Sequence, residues 1–323
     1  MRLFLNVFGL AAQYGRVGLP ITLLFGVLFQ DQAKAVLPYV SIMVFVVLAL
    51  AAFRVGPRQL REGLRSPASS LVFVVILQMA LPMSLACLLL ILGLAASPAA
   101  ISVVLATAAP ALIGSSTIAA LMKADPEPAF RTMAIGHVIL PVTMLPLFLI
   151  LPELGDPGEA IFSSGQLFLF LLPAAVLGLI TRSLFVPELR APQAKAVDGL
   201  ATLVLMLLVF GLMGALGPLM RAAPHEILFL LGLSFAVNFG LQITIFALLK
   251  ASRPKAEAVS LAIASGNRNV SLFIIALPPE LLSFFLVFLG TYQVPMFLTP
   301  LAMRRVYAMD RSPSDAAKEP SVK

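Results

Sequence analysis

A chain of 323 residues that is 60% hydrophobic and 11% charged, with a mean hydropathy of +1.02, is not a soluble domain, where about a quarter of residues are charged; it is an integral membrane protein. The excess of seven positive charges is explained by the distribution of loops described below and requires no nucleic-acid partner. One cysteine excludes an intramolecular disulfide, and two histidines leave metal, hydrolase and nucleotide sites without parts, so no cofactor and no enzymatic activity are expected.

In chain order, Met1 to Ala12 has the basic start and short apolar region of a signal peptide, but a span follows almost at once and no clear cleavage site intervenes. An interfacial lead-in is the preferred reading. Ten apolar blocks follow, at 14–30, 36–53, 68–95, 98–122, 129–151, 162–186, 197–220, 226–249, 256–277 and 280–303. Each is about the length that crosses a ~30 Å hydrocarbon core as a helix, roughly 20 residues. Cys87 falls in the third and is expected to be a small buried apolar side chain. The short charged linker from Pro152 to Ile161 separates a first group of five spans, residues 1–151, from a second, residues 162–305. Residues 306–323 are too polar to pack and are expected to be a disordered tail.

Lys and Arg in short loops are retained on the cytoplasmic side of a membrane. With the N-terminus inside, nineteen of the 22 Lys and Arg fall in inside segments, and outside loops hold only Lys34 and Arg221. This predicts a multi-pass protein of a cytoplasmic or inner membrane, both termini cytoplasmic. The one cation left over is Arg268. Five spans per half is an odd number, so the second half enters the membrane from the opposite side, as an inverted repeat.

The fourth span of each half is interrupted near its middle. Span four reads Ala109-Pro110-Ala111-Leu112-Ile113-Gly114-Ser115-Ser116-Thr117, and span nine reads Ser265-Gly266-Asn267-Arg268-Asn269. Pro removes a backbone donor, Gly permits unwinding, and Ser, Thr or Asn can bond the freed groups. Interrupted helices at matching places in two inverted halves point to a substrate site at the midplane; kinked helices packed through small residues are the alternative. The helix breaks are thus assigned to Pro110, Gly114 and Gly266.

An arginine at the midplane costs about 2.5–3.5 kcal/mol on insertion scales, and every Asp and Glu lies in a predicted loop, tail or span edge. Three compensators for Arg268 remain open: helix C-terminal carbonyls at the breaks, water in a cavity, or an anionic ligand. Its planar fork suits a carboxylate, sulfate or phosphate. Asn267, Asn269, Ser115, Ser116 and Thr117 surround it in sequence. Ser234, Asn238 and Gln242 are four apart, lie on one helix face and suggest either a cavity wall or interhelical hydrogen bonds. Gln78 and Gln293 are lone polar residues, equally suited to packing or ligand contact. His137 is read as a satisfied interhelical donor or as part of a proton or polar relay with Gln78.

These residues resemble the bile acid:sodium symporter superfamily over roughly 17–305. The landmarks are Leu37-Pro38-Tyr39, the basic loop Gly56-Pro57-Arg58-Gln59-Leu60, Ala109-Pro110 followed by Gly114-Ser115-Ser116 and Lys123-Ala124-Asp125, and Ile263-Ala264-Ser265-Gly266-Asn267-Arg268-Asn269. The resemblance implies an all-α fold of ten spans in two inverted five-helix repeats, with broken helices four and nine crossing at the centre. It also implies a panel of spans one, two, six and seven moving against the other six, and organic anions as substrates. Its sodium positions are not preserved: Ala264 stands where the family has Glu, Arg268 where it has Gln, and Ser115-Ser116 where it has Ser-Asn. The family's span-five hydroxyl positions correspond to Ala129 and Met133.

A secondary transporter of a small organic anion is therefore expected in the lipid bilayer, without the usual sodium coupling and with Arg268 as a fixed cation. A sodium-coupled symporter, an arsenite permease and a non-transporting membrane sensor are the alternatives.

Overall fold

The computed structural model describes Phe8, Tyr14 and residues 18–64, 68–154 and 156–307. The rest of the predicted lead-in and the tail from residue 308 lie outside the described residues. Val306 and Tyr307, assigned by sequence to the disordered tail, are described, and Tyr307 is fully buried.

The fold is helical throughout the described residues. Its elements are α1 (Gly18–Leu28), α2 (Gln30–Val36), α3 (Val40–Leu64), α4 (Ala68–Val75), α5 (Leu81–Ile91), α6 (Pro98–Ala108), α7 (Ser115–Leu121), α8 (Pro126–Ile150) and α9 (Pro157–Phe185). There follow α10 (Ala191–Met213), α11 (Leu216–Ala222), α12 (Pro224–Leu249), α13 (Lys255–Gly266) and α14 (Pro279–Ala302). Among the described residues, seven helical stretches are long and apolar enough to cross a membrane: Gln30–Arg58, Ala68–Ile91, Pro126–Ile150, Pro157–Phe185, Ala191–Ala222, Pro224–Leu249 and Pro279–Ala302. α1 and α6 are shorter apolar helices.

Local sequence sets the helix starts. Proline occupies the first turn of α6, α8, α9, α12 and α14, where its missing N–H costs nothing. Ser97 accepts a hydrogen bond from Ala100 N (3.2 Å) and Asp125 from Glu127 N (3.0 Å), while Asp156 and Glu159 form a reciprocal capping box at α9. The charged linker from Pro152 to Ile161 thus contains a built helix start.

Two sequence expectations are corrected. The segment 56–60 is not a loop throughout: Gly56, at φ +73° and ψ 166°, is not helical and divides α3 at a kink into two helical stretches, the second running from Pro57 to Leu64. Cys87 is exposed on the surface of α5 rather than buried, because the apolar surface of a membrane helix is itself a stable address for a thiol.

Span three is continuous but contains a π-type turn, Ile76–Ala80, between α4 and α5. Leu81 N–H bonds the Ile76 carbonyl, five residues back. The corresponding donor for Leu77 would be residue 82, which is proline and has no N–H. The Leu77 carbonyl is therefore free to accept from elsewhere.

Helix α3 packs on α9 and α10, and α1 lies against α10. A Cβ on Gly178 of α9 would lie 2.2 Å from the Ala49 carbonyl oxygen, so this glycine lets the two backbones touch. Helix α12 packs on α13 and α14, and α8 on α4, α7 and α13. Large apolar side chains such as Leu169, Leu172, Ile180 and Leu184 point outward from α9, as expected of a lipid-facing surface.

Candidate functional site: two interrupted helices around a buried arginine

Helix α6 stops at Ala108 and α7 begins at Ser115; α13 stops at Gly266 and a 3-10 turn, Val270–Ile275, follows. The extended segments between them cross. Ala111 and Arg268 form an antiparallel bridge, in which Leu112 N donates to Asn267 O (2.7 Å) and Asn269 N donates to Pro110 O (2.8 Å). Each break thereby satisfies backbone groups freed by the other, which is the condition for irregular chain in an apolar interior. Pro110 and Gly266 mark the breaks, but Gly266 is not there to unwind the chain. The described residues with positive φ are Gly56, Gly93 and Lys123, whereas a Cβ on Gly266 would sit 2.3 Å from Asn238 O. Glycine there allows α12 to approach. Gly114, at φ −77°, precedes α7 as its N-cap residue.

Arg268 is 2% exposed. Its Nη1 donates to Ala109 O at 3.0 Å and its Nη2 to Leu77 O at 3.3 Å. Both acceptors are explained by proline. Ala109 is the C-terminal cap of α6, ended by Pro110, and Leu77 lacks its ladder donor because of Pro82. A cation beside the carbonyl end of α6 is favourable. Two of the five guanidinium N–H groups are thus used, and Nε is buried without a partner.

Asn238, Gln242 and Asn267, given a substrate-binding role from sequence, are fully buried and are not among the residues lining the cavity described below. They form a buried hydrogen-bonded network among α12, α13 and α14. Asn238 Nδ2 donates to Gly266 O (2.8 Å), which also accepts from Tyr292 Oη (2.7 Å). Gln242 Nε2 reaches Asn238 Oδ1 (2.6 Å) and Thr299 Oγ1 (3.0 Å), and Tyr307 Oη donates to Gln242 Oε1 (2.8 Å). Asn267 accepts from Thr299 Oγ1 (3.2 Å) and donates to Ile263 O (3.0 Å). Ser234 pairs with Thr291 (2.9 Å). Of the two readings open for that helix face, the interhelical one is realised. Ser115 is also fully buried, its Oγ 3.4 Å from Asn267 O.

Gln78 is buried and donates to Gly136 O (2.9 Å) and Thr143 Oγ1 (3.0 Å), fixing the π-type turn to α8. His137 Nδ1 faces Met133 O at 2.9 Å, so it carries the proton there. Nε2 is left to accept from Asn269 Nδ2 at 3.1 Å, and Asn269 Oδ1 accepts from Ser271 Oγ at 2.9 Å. His137 and Gln78 do not bond each other: His137 connects to the crossing through Asn269, Gln78 to α8.

A cavity of about 670 Å³ lies between α1, α3 and α10 on one side and α7, α8, α14 and the crossing on the other. Of the sequence-predicted site residues it brings together Arg268, Asn269, Ser116, Thr117 and Gly114. It adds residues to which the sequence assigned no site role: Arg54, Asp198, Thr202 and Ser271. Arg54 Nε pairs with Asp198 Oδ1 at 2.9 Å across α3 and α10. Asp198, Thr202, Leu205 and Leu208 share one face of α10, a helical spacing that was present in the sequence. Gln293 lines the same cavity, 5% exposed, with its Oε1 buried and unpartnered.

Ala264 is fully buried in an apolar cluster with Ala129 and Met133. Three of the positions that the resemblance assigns to sodium ligands thus offer methyl and thioether groups. Arg268 stands at another, while Ser115 and Ser116 keep hydroxyls at the span-four positions. No model of a known protein family matches the chain, and no curated protein sequence matches it.

Proposed function

We propose that the chain is a secondary transporter that moves a small organic anion across the bilayer by alternating access, with Arg268 as the fixed cation of its binding site. The observation that carries this reading is a buried guanidinium, held by two main-chain carbonyls, in a residue that lines a cavity of about 670 Å³. A volume of that order holds an organic molecule. The lining is mostly apolar, with Ser116, Thr117, Asn269, Ser271 and Gln293 as neutral polar groups, which suits an anion with a hydrocarbon part.

The finer architecture in this proposal is ten spans in two inverted repeats. Seven long helices, the short α1, and the interrupted pairs α6–α7 and α13 with its 3-10 turn make ten crossings, and the interruptions fall fourth in each half. Both termini are then cytoplasmic. The cavity lies between α1, α3 and α10 and the helices that carry the crossing, and movement of the first group against the second would open it to either side.

Sodium has no place at this site. At ~4 Å and an effective dielectric of 20, two unit positive charges repel by about 4 kcal/mol, and Ala264, Ala129 and Met133 supply no ligand oxygens from their side chains. The test is thermal stability of the purified protein with chloride, benzoate, lactate and 2-naphthalenesulfonate, each with sodium or with potassium. A ligand bound only by the folded state raises the melting temperature by mass action. At least one of these anions is expected to raise it equally in both salts, and Arg268→Gln is expected to abolish the rise. No rise with any of them, or a rise that requires sodium, overturns the reading.

A further inference from the structure

We propose that this carrier is an obligatory anion exchanger: it crosses between its outward and inward states only with an anion seated at Arg268, so that each anion entering is matched by one leaving. The inference rests on Arg268 being the anion contact, and extends it from binding to the coupling of transport.

Three observations lead to it. First, among the described residues no carboxylate forms an ion pair with Arg268. The acidic residue in the described lining of the cavity is Asp198, and it is paired with Arg54 at 2.9 Å. Second, the protein compensates the guanidinium only in part. Two carbonyl oxygens, of Ala109 and Leu77, accept from its terminal nitrogens, while Nε has no partner. Third, Gln293, which lines the same cavity, has its Oε1 buried without a hydrogen-bond partner among the described residues. A buried polar group left unpaired is costly, and a shift of these two side chains that presents them to an anion entering the cavity relieves that cost.

The consequence for transport lies in the occluded state. While the cavity is open to either side, water filling it screens the charge of the guanidinium in its wall, and a missing anion costs little. Closure removes that water, and a bare cation enclosed among apolar walls is penalised far more than a charge paired with an anion. The loaded carrier therefore closes and reopens readily, and the empty one does not. A sodium symporter avoids this problem because its cations leave with the cargo; here the cation is covalently part of the chain and has to be neutralised on the return journey as well.

The experiment uses the full chain in proteoliposomes. The monoanion that gives the largest thermal shift among chloride, benzoate, lactate and 2-naphthalenesulfonate is radiolabelled and supplied outside. Vesicles are filled either with the same unlabelled anion or with dextran sulfate, a polymer too large for the cavity. Exchange predicts uptake at least tenfold faster into the anion-filled vesicles, and efflux of internal label that needs an external anion. Equal rates with both fillings overturn the exchange inference and leave anion binding at Arg268 standing. Absence of any thermal shift overturns both. Arg268→Lys, which keeps the charge, is expected to keep the dependence on internal anion even where its affinity is lower; loss of that dependence with uptake retained also overturns exchange.

Discussion

Two neighbouring asparagines have opposite environments. Asn267 is held in the buried network by Thr299 and by its own helix; Asn269 lines the cavity and links Ser271 to His137. Their substitutions should separate stability from recognition, as should Gln242 against Gln293. Gln242→Met breaks bonds to Asn238, Thr299 and Tyr307, each worth on the order of 1 kcal/mol, with a further penalty for partners left unsatisfied. The melting temperature should fall by several degrees while anion affinity is unchanged. Gln293→Met removes an amide whose oxygen is buried without a partner among the described residues, so stability should hold or rise and anion affinity should fall; thermal shift at several ligand concentrations reads both. Sequence alone could not separate these residues. Periodicity assigned Ser234, Asn238 and Gln242 to one face, but which face of a membrane helix meets a cavity depends on which neighbour covers it, and that is a property of packing. Arg268 was legible because it was the one cation without a loop address. Asp198 was hidden at the edge of an apolar block, where a carboxylate reads as part of the loop.

At the scale of elements, proline does two different jobs around the guanidinium. Pro110 ends α6 and presents the Ala109 carbonyl; Pro82, on a separate helix, deprives the Leu77 carbonyl of its donor across the π-type turn. Pro82→Ala supplies that donor and draws the Leu77 carbonyl back into the helix ladder. Arg268 then keeps one carbonyl acceptor instead of two. The anion-free protein should melt at a lower temperature, and the rise produced by a saturating anion should be larger, because more of the guanidinium is left for the ligand; a smaller rise would contradict the assignment of Leu77 as a competing acceptor. The interruptions themselves were readable from Pro110 and from Gly266. Their pairing through main-chain hydrogen bonds was not, since the partners are more than 150 residues apart in sequence. Nor was the reason for Gly266, which lies in the backbone of α12 rather than in its own torsion angles.

For the molecule as a whole, orientation follows from charge and can be measured with the protein's single cysteine removed. On a Cys87→Ser background, a cysteine introduced at Ser252, in the α12–α13 turn, should react with a membrane-impermeant maleimide only from the cytoplasmic side, and one at Glu159 only from the outside. The reverse pattern would invert the proposed topology. A bundle of long apolar helices was readable because lipid imposes a length and an apolar composition on each helix; the cavity was not, because it is bounded by side chains from six helices and the crossing. The antiparallel bridge at that crossing has a further implication, for how such a protein can change over evolutionary time. Its two hydrogen bonds, Leu112 to Asn267 and Asn269 to Pro110, run between main-chain atoms and so do not depend on which side chains flank them. A lineage can therefore replace the side chains around the junction, trading a diffusible ion for a tethered one, without dismantling the junction that positions them.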